Sequence, residues 1–155
     1  MTSKKPWPAL TLAAGPVEVS PRVLREQSRP VLYHYDPAFI ELFGQVCHLV
    51  QQAFRTKYDV VLMQGEAILA LEAAAASLFE PGDKVLNLVS GIFGKGYEHF
   101  IRRYGGEPVE LAVPYNDAID SAEVQAVLEA QPDIKYLSVV HSETPSGTVN
   151  PIEAI

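Results

Sequence analysis

Val85-Leu86-Asn87-Leu88-Val89 runs without a break into Ser90-Gly91-Ile92-Phe93-Gly94-Lys95-Gly96. A short apolar run bounded by glycine suits a strand covered on both faces, because a strand open to water on one side alternates apolar and polar residues. Comparable runs occupy residues 60–63, 109–113 and 136–140. Helical stretches lie between them: residues 66–78, rich in alanine and leucine; residues 93–104, closed by Gly105-Gly106 as a C-terminal cap; and residues 121–130. The last has Asp120 as N-cap and Glu123 three residues on, the pattern of a capping box. Alternating strand and helix predicts an α/β fold, an open and mainly parallel sheet with helices on both faces.

Upstream of this region, residues 1–19 contain three prolines and no helical period, and read as an extended arm. Ser20-Pro21 opens a short helix, and Asp36-Pro37 opens a longer one. In the longer helix Phe39, Leu42, Phe43, Val46, Leu49, Val50, Ala53 and Phe54 recur at spacings of three and four, so one face is expected to be buried. Asn150-Pro151-Ile152-Glu153 carries the same start signal just before Ile155, and the chain reads as truncated at that end.

The 155 residues, 48% hydrophobic and 20% charged, can bury one ordinary core. A net charge of −7 with scattered basic residues lacks the footprint of a nucleic-acid binder, so no nucleic-acid partner is expected. Cys47 is the single cysteine; with no disulfide partner it fits a reducing cytoplasm and the role of a small core residue. Two lysines before the apolar residues 9–14 imitate a secretory signal poorly, since that run is short and flanked by Pro8 and Pro16. No apolar stretch approaches the ~20 residues of a membrane span, and no membrane partner is expected.

Ligands of an open α/β sheet bind outside the carboxyl ends of its strands. Of the loops there, Pro114-Tyr115-Asn116-Asp117 is an ordinary polar turn. Gln64-Gly65-Glu66-Ala67 sets a glycine turn and a helix N-terminus after an apolar run, an arrangement that commonly holds phosphate, yet a carboxylate fills the first turn. Glu66 is then either a helix-dipole partner or a ligand contact. The loop with Lys95 lacks the phosphate-loop pattern, and Lys95 reads as a solvated lysine. Phe93 is either a core residue or a platform for a planar ring. His141-Ser142-Glu143-Thr144 has no nucleophile elbow, no H-E-x-x-H motif is present to hold a metal, and Thr144-Pro145-Ser146-Gly147 suits a turn.

Taken in order, these segments resemble class V aminotransferases of the fold-type-I, aspartate-aminotransferase fold. Leu12-Ala13-Ala14-Gly15-Pro16-Val17 matches the glycine-proline segment beside the substrate, and Leu71-Glu72-Ala73-Ala74 the helix after the phosphate loop. Ser90-Gly91-Ile92-Phe93-Gly94 matches the loop with the ring-stacking aromatic. His141-Ser142-Glu143-Thr144-Pro145-Ser146-Gly147-Thr148 matches the loop with the core E-T-S-T-G. Any one match is weak, but four in register are specific. Within the class the likeness is greatest to members that take pyridoxamine as a substrate, through Val31-Leu32-Tyr33-His34-Tyr35-Asp36-Pro37-Ala38-Phe39, Gly65-Glu66, residues 71–77 and Val113-Pro114-Tyr115-Asn116.

The resemblance implies that residues 1–19 are an arm and residues 20–155 part of the large domain of a transaminase. That enzyme would move an amino group from pyridoxamine to pyruvate, giving pyridoxal and L-alanine in vitamin B6 degradation. Gly65, Glu66, Ala67, Phe93 and Thr144 would bind the vitamer, and Gly15 and Tyr33 would approach the substrate. Pyridoxamine and pyridoxal would be substrates, with no tightly bound cofactor. The alternatives are an alanine–glyoxylate-type enzyme that retains pyridoxal phosphate, or a non-catalytic ligand-binding fragment. Those pyridoxamine-using members carry tyrosine at the stacking position; Phe93 keeps the stacking face and loses the phenol. No catalytic residue is assigned, because the family's ring-nitrogen aspartate, Schiff-base lysine and carboxylate-binding arginines would follow Ile155, and none of the six lysines present fits. The chain alone is therefore expected to be inactive, and a full-length parent to form a homo-oligomer.

Overall fold

The computed structural model describes residue 11 and residues 13–155. Most of the arm at residues 1–19, with Leu12, lies outside the described residues. The chain divides into two compact units, Met1–Gln64 and Gly65–Ile155.

The first unit holds α1 (Pro21–Gln27) and α2 (Pro37–Phe54), each with proline in its first turn. Asp36 Oδ1 accepts from Ala38 N at 2.8 Å, satisfying an amide that has no partner within the helix. The expectation of a buried face on α2 is not met: Leu42 is 47%, Leu49 62% and Phe54 75% exposed, and no described residue of this unit is fully buried. Among the described residues of the unit the seven-residue α1 is the only helix beside α2, too short an element to cover eighteen residues. Cys47 is accordingly half-buried and free, not a core residue. Residues 60–63, expected as a strand, have no regular structure; a strand exists only through pairing, and Val61 stands 80% exposed.

The second unit begins with α3 (Ala67–Leu78), then alternates β1 (Lys84–Val89), α4 (Ile92–Arg103), β2 (Glu107–Ala112), α5 (Ser121–Ala130) and β3 (Ile134–Ser138). The strands form one parallel sheet in the order β2-β1-β3, so β1 is central and all but its first residue are buried. Successive side chains of β1 point to opposite faces and serve two cores. Val85 packs with Ala75, Phe79 and Ile101 on the side of α3 and α4, while Leu86 and Leu88 pack with Ile119 and Val124 on the side of α5. Helices therefore cover both faces, as the alternation predicts.

Local signals explain the boundaries. Gly105 at φ 87° closes α4: Gly106 N donates to Ile101 O and Gly105 N to Arg102 O, a paired bonding that needs a left-handed residue. Only half of the capping box forms at α5, where Asp120 Oδ1 accepts from Ala122 N at 2.9 Å. Past β3 the chain makes a two-stranded antiparallel hairpin, β4 (Ser142–Glu143) and β5 (Thr148–Val149), which the sequence reading did not anticipate. Its loop contains the expected Thr144-Pro145-Ser146-Gly147 turn, with Gly147 at φ 73°. The expected helix at Asn150-Pro151 is a single turn over residues 152–154. No helix among the described residues is long and apolar enough to cross a membrane.

Candidate functional site

The carboxyl ends of β1 and β3 carry the loops that hold Phe93 and Thr144, and these loops are tied together by buried polar side chains. At the end of β1 the chain turns through Ser90 and Gly91 into α4, whose N-cap is Gly91. Glycine has no side chain to satisfy the first amides of a helix. Glu143 of the hairpin does so instead: Oε1 accepts from Phe93 N at 2.8 Å and Oε2 from Gly94 N at 3.2 Å. Its residue is 0% exposed, and its charge is met by these two amides and the positive end of α4. The close approach requires glycine, since a Cβ on Gly91 would lie 1.9 Å from Glu143 Cγ.

The same turn is gripped from the sheet. Asn87 Nδ2 donates to Gly94 O at 3.1 Å, and Ser138 Oγ donates to Asn87 Oδ1 at 2.5 Å. Asn150 joins three further segments: its Nδ2 donates to Ser90 Oγ and Val140 O, and its Oδ1 accepts from Ile119 N. Asn150 is thus a buried brace, not the side-chain cap expected of a helix start. No buried side-chain nitrogen or oxygen among the described residues lacks a partner. Sequence reading missed Asn87, Glu143 and Asn150 as determinants of the site; the available signal was a polar residue within or just after an apolar run.

Phe93 projects from this fixed turn and is 56% exposed, so it belongs to neither core. It lines a largely apolar cavity of about 660 Å³ together with Ile68 and Leu71 of α3, Tyr97 of α4 and Leu137 of β3. Thr144, also exposed, follows Glu143 directly and opens the hairpin turn. Ser146 Oγ donates to Glu143 O, and Gly147 N donates to the same carbonyl, which fixes that turn.

Gly65, Glu66 and Ala67 lie at the start of α3, all exposed. Glu66 is the N-cap residue, but its carboxylate accepts no bond from the helix, and it forms no ion pair among the described residues. Leu69 N bonds Glu66 O, while Ile68 N has no partner among the described hydrogen bonds. A Cβ at Gly65 would meet only the side-chain end of Leu69, at 2.8 Å. Gly15 and Tyr33 belong to the first unit. Tyr33 is 65% exposed, its ring edge-on to those of His34 and Tyr35.

The three lysines of the second unit are all engaged by carboxylates. Lys84 pairs with Asp133 at 2.7 Å, Lys135 with Asp83 at 3.0 Å, and Lys95 with both Glu98 and Glu110. Lys95 lies in α4 rather than in a loop, and the hydrogen bonds it donates to Glu110 and then to Glu98 raise its ammonium well above the ordinary lysine value. Lys135 is raised by Asp83 in the same way. Both ammonium groups are held in ion pairs at the surface. No group of three or more His, Cys, Asp or Glu among the described residues is placed to hold a metal.

No family model matches the chain. Individual proteins do. The chain is 51% identical to pyridoxamine–pyruvate transaminase of Mesorhizobium japonicum over 148 residues, 96% of this chain and 38% of that protein. The crystal structure of pyridoxamine–pyruvate aminotransferase from Mesorhizobium loti superposes with a TM-score of 0.91 at 51% identity, over 95% of this chain and 38% of that one. Alanine–glyoxylate aminotransferase from Nostoc gives a TM-score of 0.86 at 30% identity, over 96% and 40%. The chain thus spans about two fifths of the length of the relatives it matches.

Proposed function

We propose, from the premise that the chain belongs to the class V aminotransferases of the fold-type-I, aspartate-aminotransferase fold, that it forms the ring-binding part of a transaminase acting on pyridoxamine and pyruvate. The reaction would exchange the amino group of pyridoxamine for the keto oxygen of pyruvate, leaving pyridoxal and L-alanine. The bound vitamer supplies the electron-withdrawing ring on which amino-group transfer depends. This chain's residues supply its seat. Phe93 would cover the ring face, and Thr144 would hydrogen-bond its edge. Gly65, Glu66 and Ala67 would meet the substituent that is a phosphate in pyridoxal phosphate and a hydroxyl in pyridoxamine.

The observation that carries this choice is Glu66, an exposed carboxylate at the N-terminus of α3 that makes no bond to its own helix. A phosphate seated there would meet a like charge. At 4 Å the repulsion is about 4 kcal/mol for an effective dielectric of 20, enough to reverse a preference for the phosphorylated vitamer. A hydroxymethyl group carries no charge and can donate to the carboxylate. Glu66 would select by repulsion as well as by attraction. Free pyridoxamine and pyridoxal would then be exchanging substrates, with no cofactor tightly retained. The residues that complete the chemistry, and any homo-oligomer, are assigned to the intact protein.

Titrating the intact protein with pyridoxamine and with pyridoxamine phosphate, before and after Glu66→Ser, tests the choice. The wild type should favour the free vitamer, and the substitution should weaken that ligand and strengthen the phosphate. A wild type that already prefers the phosphate, or an unchanged ratio, would leave Glu66 as a helix-dipole partner. The alanine–glyoxylate-type reading would then take over.

A further inference from the structure

Phe93 and Thr144 are 51 residues apart in sequence, and the Glu143 side chain reaches from the hairpin that carries Thr144 to the backbone of Phe93. We propose that Glu143 is the positioning residue of the ring site, fixing the direction of Phe93 from beneath. This inference rests on the reading of Phe93 as the ring platform.

Three observations support it. The Glu143 carboxylate spans Phe93 N and Gly94 N, so it bonds the backbone of the platform residue itself. It is wholly buried, and Gly91 leaves it a space that one added methyl would fill. Its own backbone is anchored at the far end, since its carbonyl accepts from Gly147 N and Ser146 Oγ, the turn that begins with Thr144. Moving the backbone at Phe93 would break a charge-assisted bond inside the protein, where no water replaces it. The Cα–Cβ bond from which the exposed ring of Phe93 projects is thereby held in one direction. Glu143 touches no ligand in this scheme; it acts through Phe93.

The test is a double-mutant cycle in the intact protein, read as the dissociation constant of pyridoxamine. Glu143→Gln keeps the size and one acceptor but turns an amide donor toward Gly94 N. It should weaken pyridoxamine about tenfold, the equivalent of about 1.4 kcal/mol. In the Phe93→Ala background the same substitution should change affinity less than about twofold. Hydrogen exchange at Phe93 N and Gly94 N should quicken, while the amides of β1 stay protected. An equal loss in both backgrounds would make Glu143 a general fold element and overturn its positioning role, leaving the platform reading intact. If Phe93→Ala alone leaves pyridoxamine binding unchanged, the platform reading fails, and the positioning role with it. Should Glu143→Gln not fold, Glu143→Asp carries the same cycle, because it keeps the charge and withdraws it by one methylene.

Discussion

Two helices of the second unit, α3 and α4, use a carboxylate at the N-terminus in opposite ways. At α4 the acid comes from 50 and 49 residues away, is fully buried, and accepts from both Phe93 N and Gly94 N. At α3 the acid is the N-cap residue itself, stands in solvent, and accepts nothing from its helix. Proximity in sequence therefore does not by itself decide the matter: Asp36 and Asp120 cap their own helices, and Glu66 does not. What matters is whether the carboxylate reaches the free amides, as the exposed Asp36 and Asp120 do from the N-cap and the buried Glu143 does from a distant hairpin. The amides of α4 are consumed by the structure, whereas those of α3 remain open to a ligand.

The largest effect should come from closing the space beside Glu143. Gly91→Ala places a methyl 1.9 Å from Cγ and 2.3 Å from Cδ of Glu143, so the carboxylate must leave its two amides. Overpacking together with the lost charge-assisted bonds should cost roughly 3–4 kcal/mol, measured by urea unfolding of the intact protein. Gly65→Ala at the other helix is the control: its nearest neighbour is the movable end of Leu69, and the loss should stay under about 1 kcal/mol. Equal losses at the two glycines would erase the distinction between the closed and the open terminus.

Phe93 sharpens the contrast from the ligand side. Phe93→Ala should weaken pyridoxamine binding by about 1–3 kcal/mol through lost burial and stacking. Unfolding free energy should move by less than about 1 kcal/mol, since the side chain is 56% exposed and outside both cores. A variant that unfolds readily, while its folded fraction binds normally, would return Phe93 to a structural role.

The parallel sheet was legible because each of its three strands overlaps an expected apolar run, although β2 and β3 begin two residues earlier than expected, and each following helix carries a start or stop residue. Ser121–Ala130 falls on the expected bounds, and the other helices begin or end within a residue of theirs. Residues 60–63 have the composition of a strand, but composition cannot provide a partner. The apolar face of α2 is equally plain in its periodicity, and no other described element of its unit covers it. At the site, Phe93 and Glu66 could be singled out because each departs from what its position usually holds. Glu143 could only be seen as one polar residue among several in its loop. Its partners lie about 50 residues upstream, and no periodicity encodes that separation.

The smallest effect concerns the outer surface of α4, where charge is paired in water instead of in the interior. Lys95 bridges Glu98 and Glu110, and Arg102 bonds Glu98 as well. Hydrogen bonding from Lys95, then from Arg102, holds the Glu98 carboxyl below its ordinary value of 4.5. A carboxylate lowered on folding adds stability above its unfolded value and loses it as pH falls through the folded one. The contribution of this pair should be present at pH values above 4.5 and fade below that. The raised Lys95 adds stability that persists below its ordinary value of 10.5 and fades only as pH climbs past it. Lys95→Met should therefore lower the unfolding midpoint slightly at neutral pH, by a small fraction of the Gly91→Ala effect. The difference from wild type should shrink toward zero as pH falls below 4.5, and also at about 1 M salt, where exposed charges are screened within about 3 Å. The Gly91→Ala loss should survive the same salt, because the bonds of Glu143 are buried. If salt abolished both losses alike, Glu143 would have to be accessible to water, and the contrast between the two helix N-termini would fall.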